Sequence, residues 1–273
     1  MDLLILLGKT LLLRPYVFFF LAVALVASSR LLGRRRTVAL FGITWLTAFV
    51  CEFSSTRIGF PFGDYYYTGS TVGEELYLSN IPFMDSLSFT FLLFASYCLA
   101  LWLLLPAEPS SEPSCRVLLT RESLSWPVIG LTCLLFMLID VVIDPAALRG
   151  ERWFLGRIYG YPDPGVYFGV PLANFAGWFV VGLMAMTVYR ALDRQSRRLP
   201  AFPDTVPVRD VLLGCGLYYG VLLFNLVMTF WIGEWLLGLT GCLLYVPVTV
   251  LAVWKFRGLS ASAPSSVCHP RHS

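Results

Sequence analysis

C-E-F-S-S-T-R-I-G-F-P-F-G-D-Y-Y-Y-T-G at positions 51–69, then G-E-E-L-Y-L-S-N-I-P-F-M-D-S at 73–86, is the stretch on which the reading turns. It lies between two long apolar runs. Yet it carries Glu52, Arg57, Asp64, Glu74, Glu75 and Asp85, four glycines, two prolines and three consecutive tyrosines, Tyr65 to Tyr67. A segment that only links would be polar and poor in aromatics. This one opens and closes on a carboxylate set inside apolar sequence, where a membrane protein keeps its chemistry.

The rest of the chain agrees with a membrane setting. It has 273 residues, 57% hydrophobic and 14% charged, with mean hydropathy +0.72, outside the range of soluble domains. The expected fold is all-α: a polytopic integral membrane protein of about seven transmembrane helices. One domain covers 1–257, with a polar, disordered tail at 258–273. The net charge of +3 includes no long basic run interleaved with aromatics, which argues against a nucleic-acid partner. The seven cysteines form no C-x-x-C pair and fall mostly in apolar runs, where cysteine packs as a small hydrophobe. Both histidines, His269 and His272, sit in the tail beside Cys268. No metal site and no cofactor is expected, and the lack of clustered histidine argues against a metal-dependent desaturase or hydroxylase.

The expected spans are 17–32, 38–53, 81–105, 126–143, 166–189, 211–232 and 235–254. Residues 1–13 are apolar but short of the roughly 20 residues a spanning helix needs. They lie at the interface or extend the first span. Pro106 to Ser114 reads as a connector rich in proline, serine and glutamate. Lysine and arginine set the orientation. Fourteen fall in the 30–36, 106–125 and 190–209 connections and the tail, against six at the N-terminus and in the other loops. That predicts N-out and C-in, with the 54–80 and 145–165 loops on the outer face of a bacterial or archaeal cytoplasmic membrane.

A weak parallel repeat relates spans two and three to spans four and five. I-P-x-x-D at Ile81–Asp85 and V-P-x-x-N at Val170–Asn174 each follow an acid, Glu52 or Asp140, by about thirty residues. At 1.5 Å per helical residue, Glu52, Asp85, Asp140, Asp144, Asn174, Asn225 and Glu234 lie at similar depth toward the outer face. Asp140 and Asp144, four apart, share a helix face. Plainer readings exist for some of these: Glu52 paired with Arg57, Asp144 with Arg149, Arg152 or Arg157, a solvated Glu234, and the loop tyrosines as an interfacial aromatic belt. Phosphate, dinucleotide, zinc-protease and serine-hydrolase signatures are all missing. What remains is acid–base chemistry without redox, or transport.

Glu52, then G-F-P-F-G-x-Y-x-Y-T at Gly59–Thr68, Ile81-Pro82, Asp140 with Asp144-Pro145, and Y-F-G-V-P-x-x-N-F-x-G-W at Tyr167–Trp178 carry a resemblance. Over spans two to five the chain resembles the bacterial and archaeal carotenoid biosynthesis membrane proteins. That family includes the carotenoid 1,2-hydratases that act on acyclic ends of γ-carotene-type and bisanhydrobacterioruberin-type substrates. The resemblance implies an all-helical membrane fold, a carotenoid or related isoprenoid substrate, and addition of water to a terminal double bond. Association with other carotenoid-pathway enzymes belongs to the same expectation. The chain departs from the family at Phe83-Met84-Asp85-Ser86-Leu87-Ser88-Phe89, where many hydratases continue with apolar residues toward a tryptophan.

Hydrating a branched alkene needs a proton donor, a survivable tertiary cation and a placed water. A carboxyl in an apolar site can keep a proton to donate. The candidate roles are therefore Asp85 or Asp140 as acid and Glu52 or Asp144 as the base that orients water. Asn174 is a water ligand, and Tyr65, Tyr67, Phe62 and Trp178 form the substrate-binding wall. The alternatives are a carotenoid or isoprenoid-lipid carrier without catalysis, and a non-redox isomerase or cyclase.

Overall fold

In the computed structural model, the described residues are 3–108, 115–119, 121–195, 199 and 202–262. Cys268, His269, His272, most of the expected tail and part of the 106–114 connector lie outside them. Eight α-helices occur among the described residues: α1 (Leu3–Leu13), α2 (Pro15–Leu32), α3 (Arg34–Ile58), α4 (Phe83–Leu104), α5 (Trp126–Ala147), α6 (Leu172–Gln195), α7 (Val208–Trp231) and α8 (Trp235–Ser262). The last seven are long and apolar enough to cross a membrane. The fold is that of a polytopic integral membrane protein.

Boundaries differ from the sequence reading at several places: α3 runs Arg34–Ile58 against the expected 38–53, and α6 ends at Gln195 rather than Tyr189. Three more stand out. The first is Arg14-Pro15. Proline lacks an N–H and suits a first helical turn, so α2 starts there and α1 stays a separate eleven-residue helix. The fifth span begins at Leu172 rather than Val166. Residues 165–171 close a tight turn, with backbone pairing of Gly165 to Gly169 and Tyr167 to Val170. Finally, α8 continues to Ser262, past position 258, where the sequence reading places the start of the tail.

The apolar pattern decides which helix is inside. In α4, 78% of the apolar window is buried, against 22% in α8. Helix α4 is the hub, packed against α2, α3, α5, α7 and α8. Outward-facing side chains such as Val38, Leu46, Leu243 and Val250 are exposed, as lipid contact requires. Helices in lipid gain little hydrophobic drive from meeting each other, so close packing and internally satisfied polar groups hold them. Thr44, Ser96 and Thr132 each give their hydroxyl to the carbonyl four residues back.

Helices α3, α4, α5 and α6 close a four-membered ring through the pairs α3–α4, α4–α5, α5–α6 and α6–α3. Short strands trim both ends: β1 (Tyr66–Tyr67), β2 (Tyr77–Leu78), β3 (Ile81–Pro82), β4 (Ala107–Glu108), β5 (Arg116–Leu118), β6 (Tyr159–Gly160) and β7 (Thr205–Pro207). At one end β4, β5 and β7 form a small antiparallel sheet. At the other, β1 pairs antiparallel with β6, with Tyr66 opposite Gly160 and Tyr67 opposite Tyr159. That ladder ties together the two loops over the ring.

The same end holds a fully buried ion pair. Arg14 reaches Glu75 through Nη2 at 3.1 Å and Nε at 3.3 Å, and gives Nη1 to the Leu155 carbonyl at 2.6 Å. Thr71 gives its hydroxyl to Glu75, and Thr10 accepts the Leu76 N–H at 2.7 Å. The junction of α1 and α2 is thereby fastened to the 59–82 and 148–171 loops.

Candidate active site

Helix α3 ends at Gly59, whose φ of 70° suits a residue without Cβ, and the chain turns back over the ring. Ser55 accepts the Phe62 N–H at 2.9 Å and seats the turn. Gly177 on α6 leaves room for it: a Cβ there would stand 2.8 Å from Phe62 Cα and 2.9 Å from the Pro61 carbonyl. From this turn the chain runs extended through Tyr65, Tyr66 and Tyr67. Side chains of an extended segment alternate, so Tyr65 and Tyr67 point in while Tyr66 is exposed. The β1–β6 pairing sends Tyr159 and Tyr161 inward in the same way.

These side chains enclose a cavity of about 40 Å³, room for a few waters. Glu52, Asp85, Asp144 and Asn174 supply its polar wall, and Phe62, Tyr65, Phe89 and Trp178 much of the rest. Phe89 stacks on Trp178 with centroids 4.1 Å apart, and its edge meets Phe62. Every site residue expected from sequence lines the cavity except Asp140, which lies one layer deeper.

Two carboxyl groupings face the space. On the α3–α4 side, the Tyr67 hydroxyl lies 2.8 Å from Glu52 Oε1 and 2.6 Å from Asp85 Oδ2. Ser86 gives its hydroxyl to the other oxygen of Glu52, and Tyr65 Oη stands 3.4 Å from Tyr67 Oη. On the α5–α6 side, Asp144 accepts from Tyr159 at 2.5 Å, Tyr161 at 2.7 Å and Asn174 Nδ2 at 2.8 Å. The second Asn174 proton goes to Asp140 Oδ2, also at 2.8 Å. Asp140 is fully buried, and its Oδ1 has no hydrogen-bond partner among the described residues.

Counting protons separates the two groupings. Asp144 meets three donors with a proton each, the surroundings of an anion. Tyr67 has one hydroxyl proton for two carboxyl oxygens, so both short contacts are hydrogen bonds only if one carboxyl brings a proton of its own. The tyrosines stay neutral donors. Burial first, then the charges of Asp85 and Glu52, push the Tyr67 hydroxyl well above the ordinary tyrosine range. Burial and then Asp144 do the same for Tyr159 and Tyr161.

Two ion-pair readings, Glu52 with Arg57 and Asp144 with a nearby arginine, give way to other partners. Arg57 lies five residues after Glu52, about 140° round the helix, so it turns outward. It bonds the Phe53 carbonyl and Ser79 and covers the Phe53 ring. Asp144 bonds tyrosines rather than arginines, while Arg149 and Arg152 hold Glu234 away from the cavity. Asn225 also stands apart: its Nδ2 bonds the Val221 carbonyl within α7, and it lines a neighbouring cavity. Polar groups from four helices, not six, meet at the site.

The neighbouring cavity, about 100 Å³, is apolar and lies between α2, α4, α5 and α7. Asp85 and Tyr159 line both spaces. Ser88, whose hydroxyl bonds the Asp85 carbonyl at 2.7 Å, lines the apolar one.

A helical ring with paired carboxyls, an aromatic wall and an adjoining apolar cavity defines a membrane protein with a polar centre beside an apolar space. The model of a family described as "Carotenoid biosynthesis protein" matches residues 12–248, and the chain belongs to that family. The chain is 30% identical over 217 residues to the bisanhydrobacterioruberin hydratase of Haloarcula japonica. The match covers 77% of this chain and 63% of that protein's length. No solved structure matches the chain.

Proposed function

We propose that this protein is a hydratase that adds water to the terminal double bond of an acyclic carotenoid end. The observation that carries the proposal is the split in proton supply: a proton-bearing grouping, Glu52–Tyr67–Asp85, faces the donor-saturated Asp144 across one water-sized cavity. The name of the Haloarcula relative supports the same reaction class.

Asp85 gives its proton to the less substituted alkene carbon, and the π pair becomes the new C–H bond. The positive charge left on the branched carbon faces Tyr159, which lines both cavities, and an aromatic face contributes about 0.5–2 kcal/mol. A water held beside Asp144 forms the C–O bond and releases one proton to Asp144. Passage of that proton back to the Asp85 grouping restores the site, and the balance is one water gained. Asp140 acts as a positioning residue, holding Asn174 against Asp144. Glu52 and Tyr67 keep the donor proton at Asp85.

The test is expression with an acyclic carotene and mass analysis of the product. A product heavier by one water supports the reading. A product of unchanged mass but altered absorption replaces it with an isomerase or cyclase, and bound, unaltered carotene replaces it with a carrier.

A further inference from the structure

We infer that the apolar cavity between α2, α4, α5 and α7 is the seat of the substrate's last isoprene unit, entered through an aromatic gate from the lipid. This inference rests on the hydratase reading and adds the binding site and its size limit.

Three observations carry it. The first is continuity: Asp85 and Tyr159 line both cavities, so an alkene seated in the apolar one presents its terminal bond to Asp85. The second is size. A space of about 100 Å³ is somewhat smaller than the ~150 Å³ apolar cavity that binds benzene, so it suits roughly one five-carbon unit and not a methylated ring. The third is the mouth. Tyr16 stacks on Phe224 with centroids 5.4 Å apart, and Phe154 meets Tyr16 at 5.6 Å and Trp153 at 5.0 Å. Tyr16, Trp153 and Phe224 are only partly buried, and Phe154 is exposed. Beside this cluster Phe19 on α2 and Leu223 on α7 face outward, each 63% exposed. Aromatic side chains partly open to lipid suit a conjugated chain lying between them. The deep end is polar and the mouth aromatic, so the chain enters end-on and only an acyclic end reaches Asp85.

Two photoactivatable probes test this in the full-length protein in lipid nanodiscs: an acyclic isoprenoid with a diazirine at its terminal carbon, and an analogue ending in a trimethylcyclohexene ring. Labels are mapped by peptide mass spectrometry. The acyclic probe is expected to label α4 within 84–92, beside Asp85, and the facing α2 within 17–20 and α7 within 221–225, with at least tenfold less labelling by the ring-ended one. Val221→Phe, which fills the cavity, and Gly220→Ala on the same helix, whose added methyl meets nothing within 4 Å, separate occlusion from misfolding. The first is expected to abolish the label and the second to keep it. Acyclic label confined to other segments, equal labelling by both probes, or labelling that survives Val221→Phe would overturn the inference. Label at α2, α4 and α7 without water addition to an acyclic carotene leaves this seat standing and sinks the hydratase reading. Water addition with the label elsewhere does the reverse.

Discussion

Tyr67 and Tyr159 stand opposite each other in the β1–β6 ladder, and their hydroxyls serve carboxyls on opposite sides of the helical ring. One two-residue pairing thus links Asp85 and Asp144, the groups proposed to give and take a proton, through their tyrosine partners. It is also where the acid and base halves can be tested separately.

Asp85→Asn keeps shape and hydrogen bonding but removes the acid. General acid catalysis supplies about 10²–10⁴-fold, so conversion per folded protein is expected to fall by that factor. Asp140→Asn, one layer from the cavity, is expected to cost about tenfold or less. Loss in Asp140→Asn with near-normal Asp85→Asn would move the acid to α5, and normal conversion in both would remove carboxylic-acid catalysis.

Tyr67→Phe takes away the hydroxyl shared by Glu52 and Asp85. A buried polar group left unsatisfied costs about 1–3 kcal/mol, so unfolding should shift to lower denaturant as conversion drops. Tyr66→Phe, at an exposed neighbour, is the control and should match the parent in both measurements. Equal behaviour of the two variants would show that the inward hydroxyl has no part in the site.

Gly177→Ala and Gly220→Ala should have opposite signs. At 177 the added methyl meets the Phe62 and Pro61 backbone, and overpacking costs about 1–3 kcal/mol and displaces the cavity wall. At 220 nothing lies within 4 Å, so alanine should stabilise α7 by about 0.5–1 kcal/mol. Thermal unfolding in one detergent, with conversion assays on both, checks the pair.

Arg14→Ala leaves Glu75 charged and buried without its partner, a loss of about 3–5 kcal/mol. Replacing both, Arg14→Met with Glu75→Leu, should recover most of it. If the single variant is as stable as the parent, the pair is not what fastens the α1–α2 junction to those loops.

Orientation is open to direct labelling. A cysteine placed at Val166, 86% exposed in the outer-loop turn, should react with an impermeant maleimide from outside intact cells. A reporter fused after Leu199 should be cytoplasmic. The reverse pattern would overturn N-out, C-in.

The helices were legible because lipid demands long apolar runs; span edges erred where local geometry intervened, at Pro15 and in the 165–171 turn, and where α3, α6 and α8 run on past their apolar stretches. Glu52, Asp85, Asp144 and Asn174 were legible because a charge or amide in apolar sequence needs a reason. Tyr159, Tyr161 and Phe89 were not assigned to the site. A ladder two residues long has no periodicity to read, and a loop tyrosine suits an aromatic belt as well as a cavity wall. Phe89 looks like an ordinary helix residue until its neighbours across the ring are known. The Glu52–Arg57 pairing failed on helix geometry, since a spacing of five separates faces that a spacing of four would join.

The partners of Arg14 lie 61 and 141 residues further along the chain. As the chain emerges from the ribosome, the first span is therefore made long before the groups that receive its leading charge. Until residue 75 has been synthesised, that guanidinium depends on water or lipid headgroups at the membrane surface, and its bond to the Leu155 carbonyl waits for the chain beyond α5. The N-terminal segment is thus made first but fully fastened only after α5 is in place.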